Sequence, residues 1–409
     1  KAWGKSELRF RRFDGSGKCT IRVIYREKNP ESWLPVEKVF ADDTRLQIDP
    51  VDERAWTSPV RAERRKLART KIRLRMASEG RKPVWVELPM VMHRPLPSEG
   101  QIRTASVVRE VVAERPRYKA VITVKTTKAK PAGSVSSAVA IDLGWRLLNE
   151  NTLRVAYWYD TDGRHGELVL GSEIVSQFLK LYDLRSIRDK HFNEVKEEVL
   201  KYRKRLPVLA ERTPDFALWR SPRRLVGIVR NWERFPGDDE VYAILMKWYE
   251  REQHLYSWEA NLRDQVIRYR REIYRIFAKE LCSKYNTVAL ENFDLRRVAQ
   301  KPTPESGTKV SLPPDRQRTI AAISVLRGAI ENYCGREGIE IVCVEAKDST
   351  RKCHVCGHVE DRPIAKLVHE CRNCHIKWDQ DYNAAVILLQ RAGFANTPEF
   401  GAEKAFAKK

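Results

Sequence analysis

Along the first 130 residues apolar and polar positions tend to alternate with period two, the signature of half-buried strands. Glu7–Phe13 and Thr20–Tyr25 carry this pattern on either side of Asp14-Gly-Ser-Gly17, which predicts a β-hairpin. Val84–Leu88, Ile102–Arg109 and Tyr118–Lys125 read as further strands bounded by Pro or Gly. Between these segments, residues 61–77 read as a basic helix. Together they predict a small antiparallel barrel with basic side chains on its outer face. Lys128–Ser134 loses the pattern, gains Pro and Gly, and reads as a linker.

Beyond it, Ala138–Trp145, Leu153–Tyr159 and Gly166–Gly171 are three strands at hairpin spacing, the first apolar enough to be central in its sheet. From about 172 to 286 the period becomes helical. Phe192, Val195, Val199 and Tyr202 form one stripe; Leu255, Leu262, Val266, Tyr269, Ile273 and Phe277 form another. A long helical hairpin follows, with an irregular tip at 207–240 whose Trp219 and Trp232 read as local core. Thr287–Phe293 is again a strand, and the Pro-rich Gln300–Thr308 is expected to be mobile. An amphipathic helix from Arg316 to Cys334, stopped by Gly335, leads to a strand at Ile339–Glu345. The last helix is expected to be opened by Asp381. The fold class is thus multidomain α+β, with no internal repeat.

Composition narrows the partners. The 409 residues include 77 Lys and Arg against 55 Asp and Glu, a formal charge of +22, and 42% are hydrophobic, which excludes a mainly disordered or collagen-like chain. No uncharged apolar run approaches the roughly eighteen residues of a membrane span, and no signal-peptide core is present. A cytoplasmic protein without a membrane partner is expected. The chain starts at Lys1, so a missing N-terminal portion is expected too. Nucleic acid is the leading partner class, because clustered Lys and Arg bind phosphate backbones by releasing counterions. The densest cluster, Arg61 to Arg75, offers Arg65, Arg69 and Arg73 as backbone contacts; a solvated basic face is the alternative.

Cys353-x2-Cys356 and Cys371-x2-Cys374 form two knuckles whose four thiolates suit a tetrahedral structural Zn2+. His354, His358, His369 and His375 lie beside them and read as surface or nucleic-acid contacts, since four cysteines already complete the shell. Cys19, Cys282, Cys334 and Cys343 read as unpaired buried thiols. Three acids stand where burial costs most: Asp142 after Ala138–Ile141, Glu291 after Val288–Leu290, and Asp381 at the mouth of an apolar helix. A hard cation such as Mg2+ would make that burial tolerable, and two such ions about 4 Å apart suit phosphodiester chemistry. Each acid could instead cap a helix or pair with an arginine.

These residues carry a resemblance. Ala-Ile-Asp142-Leu-Gly, Ala-Leu-Glu291-Asn-Phe and Asp381-Tyr-Asn-Ala-Ala, with the cysteine knuckles between the last two, resemble the split RuvC domain of the TnpB transposon nucleases and the type V CRISPR effectors. Met90–Lys125 resembles the second half of their wedge domain. The resemblance implies an RNase H-like domain divided by a helical insertion. Residues 1–130 would then be wedge-like, 131–178, 287–350 and 378–409 the three RuvC parts, 179–286 the insertion and 351–377 a zinc ribbon. It implies catalytic, Mg2+-binding roles for Asp142, Glu291 and Asp381, with Asp379 two residues away. Arg318 would lie near substrate phosphates or on a solvated helix face, and Glu345 reads as structural. The enlarged insertion between Asp142 and Glu291 favours a compact CRISPR effector of antiviral defence over a transposon nuclease. The function implied is RNA-guided cleavage of target DNA, with guide RNA and DNA as partners. The alternatives are an effector that occupies DNA and silences transcription with little or no cutting, a TnpB-type nuclease, or a non-enzymatic zinc-ribbon scaffold. Oligomeric state is open.

Overall fold

The computed structural model describes residues 15–23, 33–40, 45–80, 82–126, 137–234, 238–292, 312–345, 347–361 and 367–394. The segments expected as a first hairpin strand (7–13), a linker (128–134) and a mobile Pro-rich stretch (300–308) lie outside the described residues. The chain divides into two compact units, Lys1–Thr127 and Lys128–Lys409.

In the first unit β1 (Gly17–Arg22), β2 (Leu34–Pro35), β6 (Gln101–Val112) and β7 (Arg115–Lys125) form one antiparallel sheet, with β6 central. A second sheet runs β3 (Leu46–Ile48), β4 (Arg69–Glu79), β5 (Lys82–Val91). Both sheets contribute to one core, in which Leu34, Ile102 and Ala105 meet Leu46, Ile48, Ile72 and Leu74. The described strands of this unit pair as two antiparallel sheets, where the pattern predicts a small antiparallel barrel. Two short helices, α1 (Arg54–Thr57) and α2 (Arg61–Leu67), precede β4. The basic helix expected over 61–77 therefore ends ten residues early. Alternation explains it: Ile72 and Leu74 are buried whereas Lys71 is exposed and Arg73 and Arg75 are half-buried, so period two overrides helix propensity once the core needs a strand, up to the register shift after Arg75.

The second unit is built on a five-stranded sheet, β10 (His165–Leu170), β9 (Thr152–Asp160), β8 (Ala138–Asn149), β11 (Thr287–Asn292), β12 (Glu340–Glu345), in that spatial order. β8 to β10 are antiparallel; β8, β11 and β12 are parallel. Period two divides the sheet between two cores. Val139, Ile141, Val288 and Leu290 face α3 (Ser172–Lys201), α6 (Asp239–Cys282), α7 (Pro314–Ala321) and α8 (Ile323–Glu337). Ala138, Ala140 and Ala289 face the last helix, α9 (Gln380–Arg391). Small residues on that face admit the helix closely.

α3 and α6 form the expected hairpin, and its tip holds α4 (Pro207–Arg212) and α5 (Pro222–Arg230) around a satellite core of Phe192, Val195, Phe216, Trp219 and Leu245. Tyr269, assigned above to the apolar stripe, is exposed, because α6 turns its 266, 270 and 274 positions inward instead. The helix expected over 316–334 is two helices. Ala322 takes a left-handed conformation (φ 42°, ψ 58°) between them, and α8 runs through Gly335 to a left-handed Gly338. Arg270 Nη1 donates to the carbonyls of Thr319 and Ile320 (2.9 and 2.7 Å), and Tyr274 Oη donates to that of Ala321. Those carbonyls are free for such donors because the helical ladder is broken.

Candidate functional site

Strand register brings the first two acids together. The parallel pairing of β8 with β11 ends at Ile141 and Leu290, so Asp142 and Glu291 occupy the next position on each strand. Both continue the face of Ala140 and Ala289, toward α9. Asp142 is not at a strand end, as the sequence suggested: β8 continues to Asn149, paired with β9. Asp381 enters from the first turn of α9.

Burial holds the Asp142 carboxyl well above the usual carboxylate range, and the charges of Asp381 and then Glu291 raise it further. Burial also raises Glu291, against a lowering by a hydrogen bond from Ser349. Asp142 thus sits where the charges of two acids from separate segments, Asp381 and Glu291, work against its own. Added positive charge is what relieves such a site, and oxygen donors alone suit a hard divalent cation. The chemistry of the three donors is that of a Mg2+ site, whereas among the described residues only the four knuckle cysteines already lie close enough together to hold a metal.

Two arginines missed by sequence reasoning already supply part of that charge. Arg146 and Arg154 lie opposite each other across β8 and β9. Arg146 Nε donates to both carboxylate oxygens of Asp381 (3.3 and 3.2 Å), and its Nη2 to Gln380 Oε1 (2.7 Å). Arg154 Nη1 donates to Asp381 Oδ2 (2.9 Å) and to Asp379 Oδ2 (2.9 Å), while Nε reaches Glu167 (2.6 Å). Burial works against the charge on Arg154, yet Asp379 and Asp381 hold the guanidinium firmly protonated. The signal available in the sequence was Arg146, four residues after Asp142 on a strand, which places it on the same face. The helix cap is also reassigned: Asp379, not Asp381, caps α9, accepting from the backbone N–H groups of Asp381 (2.8 Å) and Tyr382 (3.3 Å).

The four knuckle cysteines come together with all sulfurs within 4.8 Å of one another. Cys353 and Cys374 sulfurs are 3.7 Å apart, Cys356 and Cys371 3.5 Å. Tetrahedral Zn–S bonds of about 2.3 Å place sulfurs about 3.8 Å apart, so the set fits zinc. Although burial opposes it, hydrogen bonds led by that of Asn373 lower the Cys356 thiol to about 6, whereas burial raises Cys353 to about 12 and raises Cys374, so the cluster shares its protons unevenly. The short strands β13 (Val368–Glu370) and β14 (Lys377–Asp379) lead from the knuckles directly into α9.

The neighbouring histidines divide. His358 and His375 are exposed; His354 and His369 are buried, contrary to the surface role expected of them. His354 packs edge-on against Trp378 and Tyr382, the hydrophobic side of the ribbon. Of the other cysteines Cys282 and Cys334 are buried, whereas Cys19 and Cys343 are exposed on strands β1 and β12. Glu345 ends β12 exposed, its carbonyl accepting from Arg391 Nη1.

Among the expected nucleic-acid contacts, Arg65 is exposed on α2 and Arg69 on β4. Arg73 is half-buried and paired with Glu87 (2.9 Å), which also takes Lys71 (2.6 Å). Arg318, on α7, pairs with Asp315 (3.3 Å).

A family model for the Cas12f1-like TNB domain matches residues 324–388. The chain is 45% identical over 395 residues to the CRISPR-associated DNA-binding protein Cas12m of Thermanaerosceptrum fracticalcis, covering 94% of this chain and 65% of that one. It is 37% identical over 403 residues to the Cas12m protein of Allomeiothermus silvanus, covering 96% and 72%. The chain thus spans about two thirds of the length of these relatives. A Cas12f1–sgRNA–target DNA complex is a distant structural neighbour, with TM-score 0.41 and 13% identity over 78% of this chain and 59% of that one.

Proposed function

The chain belongs to the Cas12m family of CRISPR-associated DNA-binding proteins, and from that premise we propose that it is an RNA-guided DNA-binding effector with a RuvC-type metal centre at Asp142, Glu291 and Asp381. Base pairing with a guide RNA would supply sequence specificity, and basic surfaces around Arg65, Arg69 and Arg318 would hold phosphate backbones. The sheet order, with two crossovers into parallel strands and the last helix behind small residues, supports an RNase H-like reading of 131–178, 287–350 and 378–409. In the same reading 179–286 is the insertion, 351–377 the zinc ribbon and 1–130 the wedge.

The observation that carries the chemical part is the strand register that sets Asp142 beside Glu291, with Asp381 of α9 near enough for its charge to raise the Asp142 carboxyl. A divalent cation bound there would supply water activation and charge stabilisation for phosphodiester hydrolysis. The protein's own contribution is placement. Strand register fixes Asp142 and Glu291 side by side, and the Asp379 cap fixes the first turn of α9 that bears Asp381.

A second reading, occupancy of DNA with little or no cutting, is favoured by Arg146 and Arg154. Both guanidiniums sit on Asp381 and take acceptor capacity and negative charge that a second cation would need. The two readings share guided binding and separate on one variant. Assembled with its guide, Asp142→Ala is expected to bind target DNA within about twofold of wild type while any Mg2+-dependent phosphodiester cleavage disappears. Cleavage surviving in Asp142→Ala would refute the carboxylate assignment. Tight guided binding by wild type without cleavage establishes the second reading, and failure of guided binding would refute both.

A further inference from the structure

Between β12 and the first cysteine knuckle runs a loop that touches both candidate metal sites. Asp348 turns it with a left-handed backbone (φ 60°), an uncommon conformation for a residue with a Cβ. The Asp348 carbonyl accepts from the N–H groups of Arg351 (3.1 Å) and Lys352 (2.9 Å), and its carboxylate pairs with Arg351 (2.9 Å). The turn buries Ser349, only 3% exposed, with its hydroxyl donating to Glu291 Oε1 at 3.4 Å. Four residues later the same loop delivers Cys353.

Asn383 of α9 pins this loop. It has no exposed surface, and its amide makes four hydrogen bonds: Nδ2 donates to the carbonyls of Ser349 (3.1 Å) and Lys352 (2.8 Å), while Oδ1 accepts from His354 N (3.0 Å) and Nδ1 (2.9 Å). Gln390, two helical turns on, donates to the His354 carbonyl (3.2 Å). The helix that carries Asp381 thus also grips the residues flanking Cys353 and the carbonyl of the serine that reaches Glu291.

We propose that Ser349 and Asn383 are positioning residues that couple the two metal sites: zinc in the cysteine knuckles fixes the 348–354 loop, Ser349 then orients the Glu291 carboxylate, and divalent-cation binding at Asp142, Glu291 and Asp381 is strengthened. The proposal rests on the reading that those three carboxylates hold a cation. Its physical basis is the sensitivity of metal affinity to hydrogen bonds that orient the ligating groups. Arg327 Nη1 donates to the Glu291 backbone carbonyl (2.9 Å), which holds the strand but leaves the carboxyl to Ser349. Coupling of this kind is reciprocal, so a cation at the carboxylates must also retain zinc more firmly.

Mn2+ is the probe, titrated by electron paramagnetic resonance against the zinc-loaded chain. Wild type is expected to hold Mn2+ at a site that Asp142→Ala removes. Ser349→Ala should weaken that site roughly tenfold, with Ser349→Thr, which keeps the hydroxyl, restoring it. Zinc content and melting temperature of Ser349→Ala should match wild type, which separates orientation from loss of structure. As the reciprocal arm, saturating Mn2+ should raise zinc affinity, read by equilibrium competition with a zinc-selective chromogenic chelator, in wild type and not in Ser349→Ala. Wild-type Mn2+ affinity in Ser349→Ala, or zinc affinity indifferent to Mn2+ in wild type, would overturn the coupling while leaving the carboxylate site standing. Absence of an Asp142-dependent Mn2+ site in wild type would remove the carboxylate reading and the coupling together.

Discussion

At Asn383 a neutral amide is buried completely and every donor and acceptor on it is matched. Burial of this kind is tolerated only because each bond replaces one to water, and truncation leaves the partners stranded. Asn383→Ala is expected to lower unfolding stability by about 2–4 kcal/mol, measured by urea titration of the zinc-loaded chain. A loss below about 0.5 kcal/mol would mean that the loop is held by zinc and packing alone. Arg154 shows the charged version of the same rule. Its guanidinium is buried, yet Glu167, Asp379 and Asp381 surround it, so the charge stays in place. In this site acids and arginines answer one another across strands, and neither group can be understood from its own segment.

At the scale of elements, two features separate pattern from structure. The first is the break at Ala322. In an ordinary helix interior Ala→Gly costs about 1 kcal/mol, because glycine loses more backbone freedom. At a left-handed position that cost is offset by the Cβ strain which glycine lacks, about 1–2 kcal/mol. Ala322→Gly is therefore expected to be neutral or to stabilise by up to about 1 kcal/mol in thermal or urea unfolding. A loss of about 1 kcal/mol would indicate a continuous helix over 316–337. The second feature is an ion network that interrupts the apolar seam of the α3–α6 hairpin. Glu252 and Glu259 are buried one heptad apart on α6, with Arg188 bridging both and Arg185 (2.9 Å) and Arg263 on Glu259.

Burial alone would raise Glu259, but the hydrogen bond from Arg185 and the charges of Arg263 and Arg188 outweigh it and hold the carboxyl below its usual 4.5. A depressed folded value means stability that is present above the unfolded pKa and lost as pH falls through the folded one. Glu259→Gln should thus destabilise at pH 7, where the wild-type carboxylate is fully ionised, by about 2–4 kcal/mol. The gap between variant and wild type should narrow below about pH 4.5. A gap independent of pH would assign the loss to packing rather than to charge.

For the molecule as a whole the excess of positive charge governs association. Removing one lysine or arginine from a phosphate should reduce the slope of log affinity against log salt by about 0.9. Arg65→Ala with Arg69→Ala is expected to flatten that slope by up to about two units in binding of target duplex, with similar effect on all sequences. Adding Arg73→Ala should contribute little further, since Glu87 and Asp49 already engage its guanidinium (2.9 and 4.0 Å). Equal weight for all three would show that Arg73 leaves its partners on binding; an unchanged slope for the pair would show a solvated face. Among the described residues no helix is long and apolar enough to cross a membrane.

What the sequence determined by itself is what short periods and fixed spacings encode. Alternation placed β5 to β10, the stripe on α3 announced its packing, and two CxxC knuckles announced a cluster whose sulfurs do meet. Asp142 and Glu291 stand out in the sequence because a carboxylate after an apolar run is costly wherever the run is buried, and Asp381 because it precedes an apolar helix. Tertiary structure decided the rest. Residues 69–77 have helix-compatible composition, yet they became β4 because Ile72 and Leu74 were needed in a core assembled from distant strands. The helix over 316–334 breaks at Ala322, and the carbonyls freed there are satisfied by Arg270 and Tyr274, nearly fifty residues earlier in the chain. Arg146 and Arg154 became partners of Asp381 through contacts spanning more than 220 residues, while the cap went to Asp379 by local bonds to the N–H groups of Asp381 and Tyr382. Local pattern states what each segment would bury; which charges share the buried space depends on strand register and helix docking, which no single segment contains.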